Sequence, residues 1–127
     1  MDYRELLEHA KEASKNSYSP YSKFAVGACL ITTNDKIYSG CNFENSSFGM
    51  TICAERNAVG TAIADGERRI KAIAIYSPNQ KHCYPCGACR QVLNEFKAEE
   101  GLDVITEGEN DIEISKLADL LPEGFNL

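Results

Sequence analysis

The chain has 127 residues, 43% of them hydrophobic and 25% charged, with a net charge of −6. That length suits one domain, 1–127, with its own core, and the composition is ordinary for a soluble globular protein. A negative balance without a basic run argues against a nucleic-acid partner, and no apolar stretch approaches the length of a membrane span.

In chain order, the pattern first predicts an amphipathic helix over 2–14. Asp2 is placed to cap it, Glu5 follows three residues later, and Leu6, Leu7, Ala10 and Ala13 form the buried stripe. Residues 16–20 are rich in turn formers. Residues 24–33 read as a strand, Asn34-Asp35 as a turn, and 36–42 as the strand that pairs back. A loop over 46–50 leads to a helix over 54–64 that stops at Gly66. Gly60 interrupts that helix at a cost of about 1 kcal/mol relative to Ala. Simple tolerance, or a close backbone approach across a subunit contact, accounts for it equally well. Residues 70–76 alternate as a third strand, 77–84 form a loop, and 85–97 a helix with Val92, Leu93 and Phe96 facing inward. Short strands at 102–105 and 112–114 follow, and Ser115 is placed to cap a last helix over 116–120. Strands alternating with helices predict an α/β sheet covered by helices, with parallel pairing across the helical crossovers. Ligand sites in such folds lie at strand ends beside helix N-termini.

The chemistry concentrates between Cys53 and Cys89. Cys86 and Cys89 are three apart, so on a helix they share one face, and Pro85 suits that helix's first position. Cys53 stands just ahead of the helix over 54–64. All three thiols then sit near helix N-termini, where the dipole favours thiolate. Three such ligands can hold one Zn2+ and leave the fourth tetrahedral position to water. Glu55 lies about 200° around the helix from Cys53. It therefore faces that water rather than the metal, which is the place of a general acid/base. Three thiolates make the centre negative, and Arg56 can donate to them from just outside the ligand set. The alternative for Arg56 is a surface ion pair.

Cys-Ala-Glu followed by Pro-Cys-Gly-Ala-Cys matches the signature of zinc deaminases. Cys83 keeps a closed alternative open, because a fourth sulfur would make the zinc structural. An iron–sulfur reading lacks its fourth cysteine, since position 93 is Leu. Six cysteines without a secretory signal predict a reducing cytoplasm rather than a disulfide framework. Asn42 and Glu44 alternate along an extended segment, so an amide and a carboxylate can grip two sugar hydroxyls. An ordinary strand-end turn explains the same residues, and composition alone favours it. Phe24 suits base stacking or a core position, and Phe125 has little chain left to bury it.

The chain resembles the short, homotetrameric cytidine deaminases over essentially its full length. The resemblance rests on Tyr18-Ser19-Pro20-Tyr21-Ser22-Lys23-Phe24, Gly40-Cys41-Asn42-Phe43-Glu44-Asn45 and Thr51-Ile52-Cys53-Ala54-Glu55-Arg56. It continues through Pro85-Cys86-Gly87-Ala88-Cys89-Arg90-Gln91-Val92 and Leu120-Leu121-Pro122. It implies a three-layer fold with a mixed five-stranded sheet between helices. It also implies one zinc per subunit on Cys53, Cys86 and Cys89, with Glu55 as proton shuttle. Asn42 and Glu44 would hold the ribose, Phe24 would stack near the pyrimidine, and the Ala54 N–H would meet its carbonyl. Phe48 and Phe125 would complete a neighbouring subunit's pocket. Position 48 is Phe where the family usually has Tyr, and His82-Cys83-Tyr84 is unusual before Pro85. The implied substrate is a free nucleoside, cytidine or deoxycytidine. The rivals are a deaminase of another aminopyrimidine, such as blasticidin S, and a non-catalytic zinc protein.

Overall fold

A computed structural model describes residues 1–127. Its elements are α1 (Tyr3–Ser14), β1 (Gly27–Thr32), β2 (Ile37–Cys41), α2 (Ala54–Ala64), β3 (Ile70–Tyr76), α3 (Gly87–Phe96), β4 (Asp103–Glu107), β5 (Ile112–Lys116) and α4 (Leu117–Leu120). A single 3-10 turn, Phe48–Met50, precedes α2. The five strands form one sheet in the order β2-β1-β3-β4-β5. Only β3 and β4 run parallel, and α3 is the crossover between them; the other neighbours are antiparallel. This is the mixed five-stranded sheet the resemblance implied.

Alternation along the central strands builds two cores. Ala28, Leu30, Ile73, Ile75 and Val104 pack against Ala54, Ala58, Val59 and Ala62 of α2, Leu93 of α3 and Leu117 of α4. Cys29, Ile31, Ala72, Ala74 and Ile105 point the other way, onto Leu6 and Ala10 of α1. Every residue of β1 is buried, as expected for a strand covered on both faces. Two glycines set how closely the helices approach. A Cβ on Gly27 would lie 2.0 Å from the Ala10 carbonyl oxygen, and one on Gly40 would lie 2.6 Å from the Ala58 nitrogen. Gly40 therefore seats α2, which carries half of the site, directly on β2.

The predicted boundaries shift at several element ends. The helix expected over 85–97 begins at Gly87, with Cys86 as its N-cap, so buried Pro85 precedes the helix instead of opening it. The strand expected from Phe24 starts at Gly27, because the Phe24 carbonyl and the Val26 N–H bond the Asn42 side chain instead of a neighbouring strand. The last two strands run longer than their apolar runs, with β4 and β5 paired over five residues each. Ser115 belongs to β5, and Lys116 opens α4 without a side-chain cap. Gly66 does end α2, with φ of +96°, and a Cβ on Gly60 would meet open space within the chain.

Candidate active site

The site is built at two helix starts. Cys53 is the N-cap of α2 and Cys86 the N-cap of α3; Cys89 lies in the first turn of α3. Neither N-cap thiol spends itself on capping. The Cys53 and Cys86 sulfurs are 4.0 Å apart and those of Cys86 and Cys89 3.5 Å apart, with all three within 4.8 Å of one another. A tetrahedral zinc with bonds of about 2.3 Å needs sulfurs about 3.8 Å apart, so the spacing fits the ion. Cys83 stands outside this group, and its thiol packs against the apolar core. Burial first, and the Glu55 charge second, push that thiol up to about 11. The fourth sulfur that would close the site is not gathered with the other three.

Glu55 follows Cys53 by two residues and is 5% exposed. Burial raises its carboxyl to about 7, where it can both take and return a proton near neutral pH. The Arg56 Nη2 donates to the Cys53 sulfur at 3.4 Å, while its buried Nε has no partner. The Cys53 thiol is drawn down to about 5, first by a hydrogen bond from the Cys89 thiol and then by Arg56. The proton stays on Cys89, whose thiol is pushed up. A sulfur cluster that already favours negative charge, backed by a guanidinium, suits a divalent cation.

The Asn42–Glu44 segment lies beside this cluster. Phe43 bridges to Tyr18 on one side and to Ile52 on the other, one residue before Cys53. Asn42 is buried, and its Oδ1 accepts from the Ser17 hydroxyl and the Val26 N–H. Its Nδ2 donates to the Phe24 carbonyl at 2.8 Å, which leaves one amide hydrogen unused. Glu44 accepts from the Tyr21 and Ser22 N–H groups and from the Ser22 hydroxyl. The Ser22 hydroxyl, with those two N–H groups behind it, keeps the Glu44 carboxyl below its usual range. A cavity of about 340 Å3 is lined by Tyr21, Ser22, Glu44, Phe48 and Thr51. The exposed Phe48 ring lies 5.7 Å from that of Tyr21. Phe24 is half-buried, and Ala54 is buried at the first position of α2, where its N–H has no intrahelical acceptor.

Phe125 is 67% exposed on the tail beyond α4 and does not line that cavity. Sequence reasoning did not single out Ser17, Ser22 or the Tyr21 amide. The signal for Tyr21 and Ser22 was the loop Tyr18–Phe24, which carried the resemblance without assigning them partners; Ser17 lies just outside it.

A mixed sheet with α1 on one face and α2, α3 and α4 on the other, and three cysteines at two helix starts, defines a zinc-binding deaminase-type protein. The family described as "Cytidine and deoxycytidylate deaminase zinc-binding region" matches residues 1–102, and the chain belongs to it. It is 44% identical over 126 residues to cytidine deaminase of Sporosarcina psychrophila, covering 99% of this chain and 93% of that protein. It is 37% identical to the Mycobacterium tuberculosis H37Rv cytidine deaminase, covering 100% of this chain and 92% of that one. The crystal structure of cytidine deaminase from Burkholderia pseudomallei matches with a TM-score of 0.90 at 41% identity, covering 98% of this chain and 100% of that one.

Proposed function

We propose that residues 1–127 form one deaminase domain that converts free cytidine and 2′-deoxycytidine to the corresponding uridines, releasing ammonia. The observation that carries this reading is the sulfur trio beside a buried carboxyl raised to about 7. Cys53, Cys86 and Cys89 would hold one Zn2+, which would supply a Lewis acid that activates water near neutral pH. Glu55 would take one proton from the attacking water and deliver it to N3 of the base as the water oxygen bonds C4. It would then move the second proton from that oxygen to the amine, so that the C4–N bond breaks, ammonia leaves and the C4 carbonyl forms. Arg56 balances sulfur charge. The remaining Asn42 amide hydrogen and the Glu44 carboxylate bind the ribose hydroxyls, with Ser17, Ser22 and the Tyr21 N–H fixing both side chains. Phe24 stacks near the base and the Ala54 N–H meets its carbonyl. Phe48 and Phe125, both exposed here, complete pockets shared within a homotetramer that works in the cytoplasm in pyrimidine salvage. No helix is long and apolar enough to cross a membrane.

The test is an absorbance and ammonia assay on zinc-loaded protein with cytidine, deoxycytidine and blasticidin S in parallel. Turnover of the first two is expected. Turnover of blasticidin S alone, or of none, overturns the reading. The Asn42–Glu44 pair speaks for a free nucleoside, because a substrate without ribose hydroxyls has no use for it.

A further inference from the structure

The tail that ends in Phe125 is held by a dedicated set of side chains on α3. After α4 the chain bends at Glu123, whose φ of +60° is left-handed. Gly124 then passes so close to α3 that a Cβ there would lie 2.9 Å from Asn94 Nδ2. At Phe125 the Gln91 side chain grips the peptide from both sides. Its Nε2 donates to the Phe125 carbonyl at 2.8 Å, and its Oε1 accepts from the Phe125 N–H at 3.3 Å. Asn94 adds a donation to the same carbonyl at 3.3 Å, and its own Oδ1 accepts from Lys97 Nζ at 2.9 Å, which fixes the amide's orientation. One helical turn back, Arg90 donates to the Pro85 and Leu120 carbonyls, both at 2.8 Å.

The three bonds to Phe125 all act on its backbone, and none involves the ring, which remains 67% exposed. An amide paired with a peptide unit fixes direction without reading the side chain. Without these bonds an exposed segment would be mobile, and a large exposed aromatic on it would sample many positions. The set therefore fixes the Phe125 backbone and the direction of its Cα–Cβ bond in advance, which lowers the entropy lost when the ring meets a ligand.

We propose that Gln91 is a positioning residue whose two-sided grip on the Phe125 backbone presents the Phe125 ring, from a fixed point of attachment, as a wall of the nucleoside pocket of an adjacent subunit. This rests on the function proposed above. Gln91 lies two residues beyond Cys89 on α3, so one helix sets a metal ligand at its own site and an aromatic wall at its neighbour's. A wall that touches substrate and transition state alike acts on KM, not kcat.

The test uses the zinc-loaded enzyme. The chain contains no Trp, so Phe125→Trp supplies a single emitter. Adding Gln91→Met to that background, which removes both hydrogen bonds at similar volume, is expected to lower Trp anisotropy. It should also abolish the emission change on adding uridine. In the natural background, Gln91→Met is expected to raise KM for cytidine about tenfold, the loss appropriate to a displaced base stack, with kcat and zinc content retained. Gly124→Ala attacks the same grip from the tail, away from the core, and is expected to do the same. Unchanged anisotropy in both variants overturns the grip. Lowered anisotropy with unchanged KM overturns its role in the pocket. A parent enzyme that leaves cytidine untouched would sink the deaminase reading, while the anisotropy still decides the grip.

Discussion

Arg56 donates to the Cys53 sulfur at 3.4 Å, one turn along α2 from the residue it serves. Three thiolates around a divalent cation leave a net negative centre, which acidifies water less than a neutral one. The guanidinium offsets that charge, and two helix N-termini assist. Arg56→Gln keeps an N–H donor but removes the charge. It is expected to cost about 10–100-fold in zinc affinity or turnover, measured by chelator competition and by cytidine absorbance. Equal affinity and turnover would reduce Arg56 to packing.

Cys83 is held apart from the three clustered sulfurs and sits against the core. Cys83→Val discards the sulfur and adds about one methyl group of volume. The expected outcome is unchanged zinc stoichiometry by metal analysis, with a stability cost below about 1.5 kcal/mol by denaturant titration. Loss of zinc on this substitution would mean that the ion is enclosed by four sulfurs.

Asp103 ties α1 to the sheet. It accepts from the Tyr3 hydroxyl at 2.7 Å and pairs with Lys116 at 2.6 Å. Burial alone would raise its carboxyl, but the bonds from Lys116 and Tyr3 win and hold it below the ordinary value. A lowered folded-state pKa gives stability that is present above the unfolded value, about 3.9, and lost as pH falls through the folded one. Asp103→Asn should therefore lower Tm at neutral pH, and the gap from the parent should close as pH falls below about 4. A gap that widens in acid would contradict the sign.

The limits of α2 were legible because its alanine stripe, the preceding Cys53 and the left-handed Gly66 all act locally. The sulfur trio was legible because spacing alone puts Cys86 and Cys89 together. Pro85 misled by two positions: it lies buried ahead of the N-cap, where its missing N–H is equally harmless. The network around Asn42 was hidden because its partners Ser17, Phe24 and Val26 converge only after the 17–26 segment folds back across β2. The grip of Gln91 on Phe125 was hidden for the same reason. It depends on a tail path set by a left-handed Glu123, a residue type that does not announce that conformation. Glu55 was placed correctly on the helix, but its burial comes from packing that no short spacing reports.

The most direct measurement is zinc content, uridine binding and cytidine turnover on Glu55→Gln and parent protein prepared side by side. The substitution keeps the shape and removes the titratable carboxyl. The account predicts one zinc per chain and retained uridine binding in both, with turnover reduced about 10²–10⁴-fold in the variant. Near-parental turnover by a zinc-loaded Glu55→Gln would contradict it.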